Sequence, residues 1–236
     1  PRRLLFLVNE FAPADVDGAV LLADGADVLA LPGGSIFCRC LVTQFIGQLR
    51  QIAGRWAEAR PPFDGVAIEA SGMADPRVIG RMLAETGLDR QFALASIVAV
   101  ADPLRLPKLL HTLPSARAQI EAADTVVLNK TDLAAPEQVA AAEKLIGAIR
   151  PDSAVLRATR GRPAPELFPS HPSSHPPSGD YAACRDPAFA TEVLPAPGEI
   201  DPARLEAALR AAGDAVYRMK GFASCGGRAV ICTPLL

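Results

Sequence analysis

Asn129, Lys130, Thr131 and Asp132 follow directly on a short apolar run at residues 125–128. An amide, an ammonium, a hydroxyl and a carboxylate at the end of a buried strand form a base-reading set. A carboxylate accepts two hydrogen bonds from the N1–H and exocyclic amine of guanine, and adenine offers no such pair. Asp132 would then choose the base. Asn129 would fix the loop and touch N7, and the stem of Lys130 would lie along the base plane. The plainer account is a strand-end turn in which Asp132 caps a helix.

Three further polar clusters follow strand-like runs. In FDGVAIEASGMADP, Glu69 ends a strand and Gly72 comes three residues later. A carboxylate there can hold a magnesium-bound water, and the Gly72 amide can approach a terminal phosphate. A capped strand–helix turn opened by Asp75-Pro76 accounts for the same residues. Asn9 and Glu10 follow the first run, with Asp15 and Asp17 in the next loop. These acids could sense a metal or position a water, or simply form a solvated acidic loop. Cys38 and Cys40 follow Gly33-Gly34. Two thiolates suit one soft cation, yet a tetrahedral zinc takes about two ligands more. Buried cysteines acting as small apolar residues would look the same.

The elements that position these clusters come from periodicity. Apolar runs of buried-strand length occupy residues 4–8, 28–31, 65–68, 94–100, 125–128 and 154–156. A helical stripe over residues 41–59 carries Leu41, Phe45, Leu49, Ile52 and Trp56. Another over 136–150 carries Val139, Ala142, Leu145, Ile146 and Ile149. Pro136 and Pro76 suit first helical turns. Strands alternating with helices predict an α/β fold, a mostly parallel sheet covered by helices. Ligands in such folds sit beyond the carboxyl ends of the strands, which is where all four clusters fall.

Near Gly161 the composition changes. Residues 161–200 are rich in Pro and Ser and read as a linker. A helical pattern at 202–212 follows, then two strand-like runs around Cys225-Gly226-Gly227. Residues 201–236 therefore read as the opening of a small α+β domain.

The chain has 236 residues, 50% hydrophobic and 21% charged, which suits a globular core. A net charge of −2 provides no basic field for nucleic acid or an acidic membrane. No apolar run approaches the ~20 residues of a membrane-spanning helix. Without a secretory n-region and h-region, a cytoplasmic location is expected. Five scattered cysteines read as thiols rather than as a disulfide framework.

Taken in order, VNEF with D-x-D-G, GGSIFCRCL, IEASGMADP, NKTDL and YRMKGF resemble the CobW-type GTPases, metallochaperones akin to the UreG and HypB nickel-insertion GTPases. The likeness runs from Leu4 to about Val230. It implies a P-loop NTPase-like GTPase domain at residues 1–160 and a smaller C-terminal domain after the linker. Asn129, Lys130 and Asp132 would bind the guanine of GTP. Glu69 would be the acid near Mg²⁺, Gly72 would sit in the second switch, and Glu10 and Asp17 in the first. The family implies gated delivery of zinc, cobalt or a related divalent ion to a client metalloenzyme or metal-insertion partner, with a homodimer as an option. The alternative is a degenerate relative that binds metal or a client without hydrolysis.

The sequence departs from the family in three places. No G-K-S or G-K-T occurs in the chain, so the amide cradle, the phosphate lysine and the magnesium hydroxyl of a P-loop are missing. On this ground the chain is expected to be a fragment that lacks a central strand and does not hydrolyse GTP alone. The family's G-C-x-C-C run reads Gly34-Ser35-Ile36-Phe37-Cys38, with Cys40 extra; Ser and Phe are no ligands for a soft metal. Cys38 and Cys40, with Glu10 or Asp17, are the metal candidates. Finally, Arg218, Lys220 and Gly221 match the opening of the C-terminal domain, but the rest of it is not found. His171 and His175 lie in the linker at a spacing that permits chelation.

Overall fold

Leu4 to Glu10 begins as five consecutive apolar residues, a pattern for a strand buried on both faces. In the computed structural model this is β1 (Leu4–Glu10), the middle of a parallel sheet ordered β2-β1-β3 with β2 (Asp27–Pro32) and β3 (Gly65–Glu69). The structure describes residues 3–10, 21–22, 25–32, 34–56, 62–162, 179–182, 194–195, 198–212, 216 and 221–232. The chain divides into two units, one of residues 1–34, 63–69 and 186–236, the other of residues 35–62 and 70–185.

In the first unit, Leu5, Leu7, Val8 and Leu31 are buried. The register pairs Leu7 with Leu29 and with Ile68, and Val8 with Glu69. Glu69 therefore ends β3 level with the last apolar residue of β1. Ile68, on the edge strand, is 36% exposed. The same unit holds helix α6 (Pro202–Ala212), whose first turn Asp201 caps through the Ala203 amide, and a hairpin of β7 (Gly221–Cys225) and β8 (Arg228–Cys232). Gly226 and Gly227 make the turn at φ 60° and 74°. A two-residue hairpin turn with both φ positive matches the strand twist, and glycine takes that conformation without steric penalty.

The second unit is built on a parallel sheet ordered β4-β5-β6, from β4 (Val98–Ala101), β5 (Thr125–Leu128) and β6 (Ala154–Arg157). All four residues of β5 are buried. Helices α1 (Val42–Trp56), α2 (Ile79–Thr86), α3 (Leu106–Thr112), α4 (Pro114–Ala122) and α5 (Pro136–Ile149) belong to this unit. α1 buries Phe45, Leu49 and Ile52, one face at i, i+4, i+7. Around β5 the core gathers Ala99, Ala101, Leu106, Ile120, Val126, Leu128, Val139, Ala142 and Ile146. Truncating one of its large members, such as Leu128 to alanine, costs about 2–5 kcal/mol.

The expected helix at 41–59 is observed as Val42–Trp56, with residues 57–61 outside the described residues. The expected strand at 94–100 begins only at Val98. The Asp124 carboxylate accepts the Ile97 amide at 2.8 Å, and the Ile97 carbonyl takes the Asp124 and Thr125 amides. The chain is thus held by a loop contact before the ladder starts. Pro76 opens a single 3-10 turn (Pro76–Val78) that feeds α2. Most of residues 161–200 lies outside the described residues. Residues 179–182 are seated within the second unit: Ala182 bridges Cys38, and Tyr181 donates to Glu85.

Candidate functional site

β5 delivers Asn129 to Asp132 to the carboxyl end of its sheet, and the backbone there is tied down before any side chain is considered. The Asn129 amide donates to the Ala101 carbonyl at 2.8 Å, so the loop leaves the sheet beside the end of β4. The Asn129 side-chain oxygen accepts the Gly161 amide at 3.0 Å. The Thr131 hydroxyl and amide both donate to the Ala158 carbonyl, at 3.0 and 3.2 Å. Two residues of the motif thereby grip the segment that follows β6.

Lys130 between them is left-handed, at φ 61° and ψ 31°. For a residue with a Cβ this conformation costs roughly 1–2 kcal/mol. Its ammonium lies 3.1 Å from the Asp102 carboxylate. Asp102 follows β4 directly and also accepts the Leu104 amide at 2.9 Å. Asp132 lies in a 3-10 turn (Thr131–Leu133) and is exposed. Among the described residues no hydrogen bond or ion pair holds its carboxylate, and it does not cap α5. Instead the Gln138 side chain accepts the Ala135 amide at the start of that helix.

Gly72 lies in the second unit, exposed, after β3. Its carbonyl accepts a hydrogen bond from the Gln119 side-chain amide at 3.0 Å, and the same amide donates to the Ala74 carbonyl at 2.9 Å. A third bond joins this segment to α4. Arg77 forms a bidentate pair with Asp75 and donates to Glu121 at 2.9 Å. The hydrogen bonds to Asp75, above all, hold the Arg77 guanidinium pKa above its usual value. Asp75 also accepts the Arg77 amide as the cap of the Pro76 turn, as the sequence leads one to expect. α4 thus grips the loop after β3 at Gly72, Ala74 and Arg77.

In the first unit, Glu69 is exposed at the end of β3. Asn9 is buried, and its side chain donates to the Leu31 and Gly34 carbonyls at 2.9 and 3.0 Å. It fixes the turn after β2. Glu10 ends β1, its side chain outside the described residues. Asp15 and Asp17 also lie outside them.

Cys38 and Cys40 do come together. Their sulfurs are 2.8 Å apart, with Cys38 buried and Cys40 exposed. Among the described residues no group of three His, Cys, Asp or Glu stands ready for a metal. The pair is two ligands of the about four a structural zinc takes. No helix among the described residues is long and apolar enough to cross a membrane.

Sequence reasoning missed Asp102, Gln119 and the 158–161 segment. Asp102 was within reach of the same rule that found the other clusters, since it follows a strand-like run. Gln119 carries no such signal. Its role depends on α4 lying against a loop 45 residues earlier in the chain.

A family model described as CobW/HypB/UreG, nucleotide-binding domain, matches residues 1–157. The zinc chaperone YeiR of Escherichia coli (strain K12) is 31% identical over 58% of this chain and 40% of its own length. The zinc chaperone CobW of a Sinorhizobium species is 32% identical over 56% of this chain and 44% of its own length. The match therefore spans less than half of each of these curated relatives. The Zn(II)-bound YjiA GTPase from E. coli aligns with 100% of this chain and 87% of its own, at 15% identity and a TM-score of 0.42.

Proposed function

This chain belongs to the CobW/HypB/UreG nucleotide-binding family, and from that premise we propose that it carries the guanine-reading and switch segments of a GTP-dependent metallochaperone for a zinc-class divalent ion. The observation that carries this reading is Asp132. Its carboxylate is exposed and, among the described residues, has no partner, on a loop that its neighbours tie down. A structural carboxylate at a strand end would be expected to cap or pair. One kept open toward solvent on a fixed loop suits a ligand with two adjacent N–H donors.

Guanine has that pair. Two hydrogen bonds to a charged acceptor, at about 1.5–3 kcal/mol each, give at least a hundredfold preference over adenine. In this reading Asn129 keeps the loop against Gly161 while Lys130 lies along the base. Glu69 takes a magnesium-bound water, and the Gly72 amide faces the terminal phosphate. Glu10 and Asp17 belong to the first switch. The β- and γ-phosphates need the lysine and hydroxyl of a P-loop, and these 236 residues contain no such motif. The cargo ion is taken by the thiols of Cys38 and Cys40, with further ligands from the first switch or the client.

The experiment is nucleotide binding by the full-length protein. GTP and GDP are expected to bind at least about a hundredfold more tightly than ATP. Asp132→Asn presents an amide where guanine needs two acceptors. It is expected to weaken guanine nucleotides and strengthen xanthine nucleotides, whose 2-oxo group accepts. Equal affinity for GTP and ATP sinks the assignment. Guanine-selective binding with no turnover selects the non-hydrolysing alternative.

A further inference from the structure

We propose that Cys38 and Cys40 form a reversible dithiol–disulfide pair oxidised by a small-molecule disulfide of the glutathione class, with Cys40 the attacking sulfur and Cys38 the resolving one. The proposal concerns the sulfurs alone and does not depend on the nucleotide reading.

Residues at i and i+2 do not normally meet. On a helix they do not face each other, and on an extended strand they point the same way about two residue lengths apart. Here the chain turns through Arg39 and Cys40 and brings the sulfurs to 2.8 Å. The turn is fixed on every side. The Cys38 amide donates to the Ser35 carbonyl at 3.0 Å, and the Cys38 carbonyl receives the Leu41 and Val42 amides at 3.2 and 3.0 Å. Arg39 donates to the Ala182 carbonyl, and the Ala182 amide returns to the Phe37 carbonyl, both at 3.1 Å. Phe37 packs edge-on against Phe45 at a 5.9 Å ring separation. Two alpha carbons at this spacing are at most about 7 Å apart, and the turn shortens that toward the range a disulfide spans. The bond can close with a small sulfur movement and no unfolding.

Exposure assigns the order. Cys38 is 3% exposed, whereas Cys40 faces solvent. A dissolved disulfide reaches Cys40 first. Cys40 loses its proton to water and attacks one sulfur of the oxidant, forming a mixed disulfide and releasing one thiolate. Cys38 then loses its proton and attacks the Cys40 sulfur, expelling the second thiolate. In sum, two protein thiols lose two protons and two electrons, and the small disulfide becomes two thiols. Closing the bond removes both sulfurs as ligands. Among the described residues no third ligating side chain stands by to keep a metal there.

The sequence provides a direct readout, because Arg39 separates the two cysteines. Trypsin cuts after Arg39, and residues 4–39 and 40–50 are single tryptic peptides with one cysteine each. Full-length protein is treated with excess oxidised glutathione, alkylated and digested. The expected product is these two peptides joined at their summed mass less two hydrogens, and separated again by dithiothreitol. In Cys38→Ser, glutathione is expected to remain on peptide 40–50. In Cys40→Ser, the folded protein is expected to leave Cys38 unmodified, with alkylation only after unfolding. Two separately alkylated peptides after oxidation overturn the proposal. A glutathione adduct on Cys38 in Cys40→Ser overturns the assigned order.

Discussion

The side-chain amide of Gln119 donates to the carbonyls of Gly72 and Ala74, at 3.0 and 2.9 Å, so one residue of α4 holds the loop that follows β3 at two points. Gln119→Ala removes both bonds and is expected to cost about 1–2 kcal/mol of stability. In the proposed reading it should slow GTP turnover by the full-length protein more than it weakens GDP binding. Gln119→Glu sets a carboxylate against two carbonyl oxygens. That raises its folded pKa above the unfolded value, so the penalty is present at neutral pH and fades as pH falls. Thermal melts of both variants at pH 7 and in mild acid check this. Equal penalties at both pH values in Gln119→Glu would show that the amide does not face the carbonyls.

Gly72 offers a cleaner test of the switch. A Cβ built on it meets nothing within 4 Å. Gly72→Ala is therefore expected to leave stability within about 0.5 kcal/mol. If the Gly72 amide approaches the terminal phosphate, the added methyl obstructs that approach, and turnover should fall while diphosphate binding holds. Turnover at the wild-type rate removes Gly72 from the phosphate site.

Lys130 inverts a familiar order of substitutions. Its left-handed backbone favours glycine, so Lys130→Gly is expected to be more stable than Lys130→Ala by about 1 kcal/mol. Both variants lose the ion pair to Asp102, which is partly exposed and worth about 0.2–1 kcal/mol. A double-mutant cycle with Asp102→Asn should return a coupling in that range, read from urea unfolding.

Glu143 and Arg157 tie α5 to the end of β6 through two bonds, at 2.7 and 2.9 Å. The hydrogen bonds from Arg157 hold the Glu143 carboxyl below its usual value. A lowered folded pKa makes the contribution fully present above the unfolded value near about 4.3, and lost as pH falls through the folded one. Glu143→Gln should cost about 0.2–1 kcal/mol at pH 7. Melting curves of the variant and wild type should draw together as pH falls below the unfolded value and through the folded one.

Much of the fold was legible because buried parallel strands write themselves as apolar runs. Residues 4–8, 65–68 and 125–128 sit inside observed strands, and helices 136–149 and 202–212 match their stripes to within a residue. α3 and α4 were not foreseen. Pro107 and Pro114 interrupt the pattern, and α4 buries mainly alanines, which carry little periodic signal. Of the candidate site, the placement of Asn129 to Asp132 at the end of β5 was readable because a polar set after an apolar run is a local feature. The grip of Gln119 on Gly72 and the pairing of Lys130 with Asp102 join distant stretches of chain. No spacing rule reaches them.

The tethers from Asn129 to Gly161 and from Thr131 to Ala158 have one more implication. A recognition strip that is already frozen has no disorder left to lose when its ligand arrives. Its free energy of contact is then the same whichever number of phosphates the nucleotide carries. It can govern how long a nucleotide stays, but it cannot tell a spent molecule from a fresh one. In the proposed reading that distinction belongs to the segments around Glu10 and Gly72, and the clock of the cycle runs there.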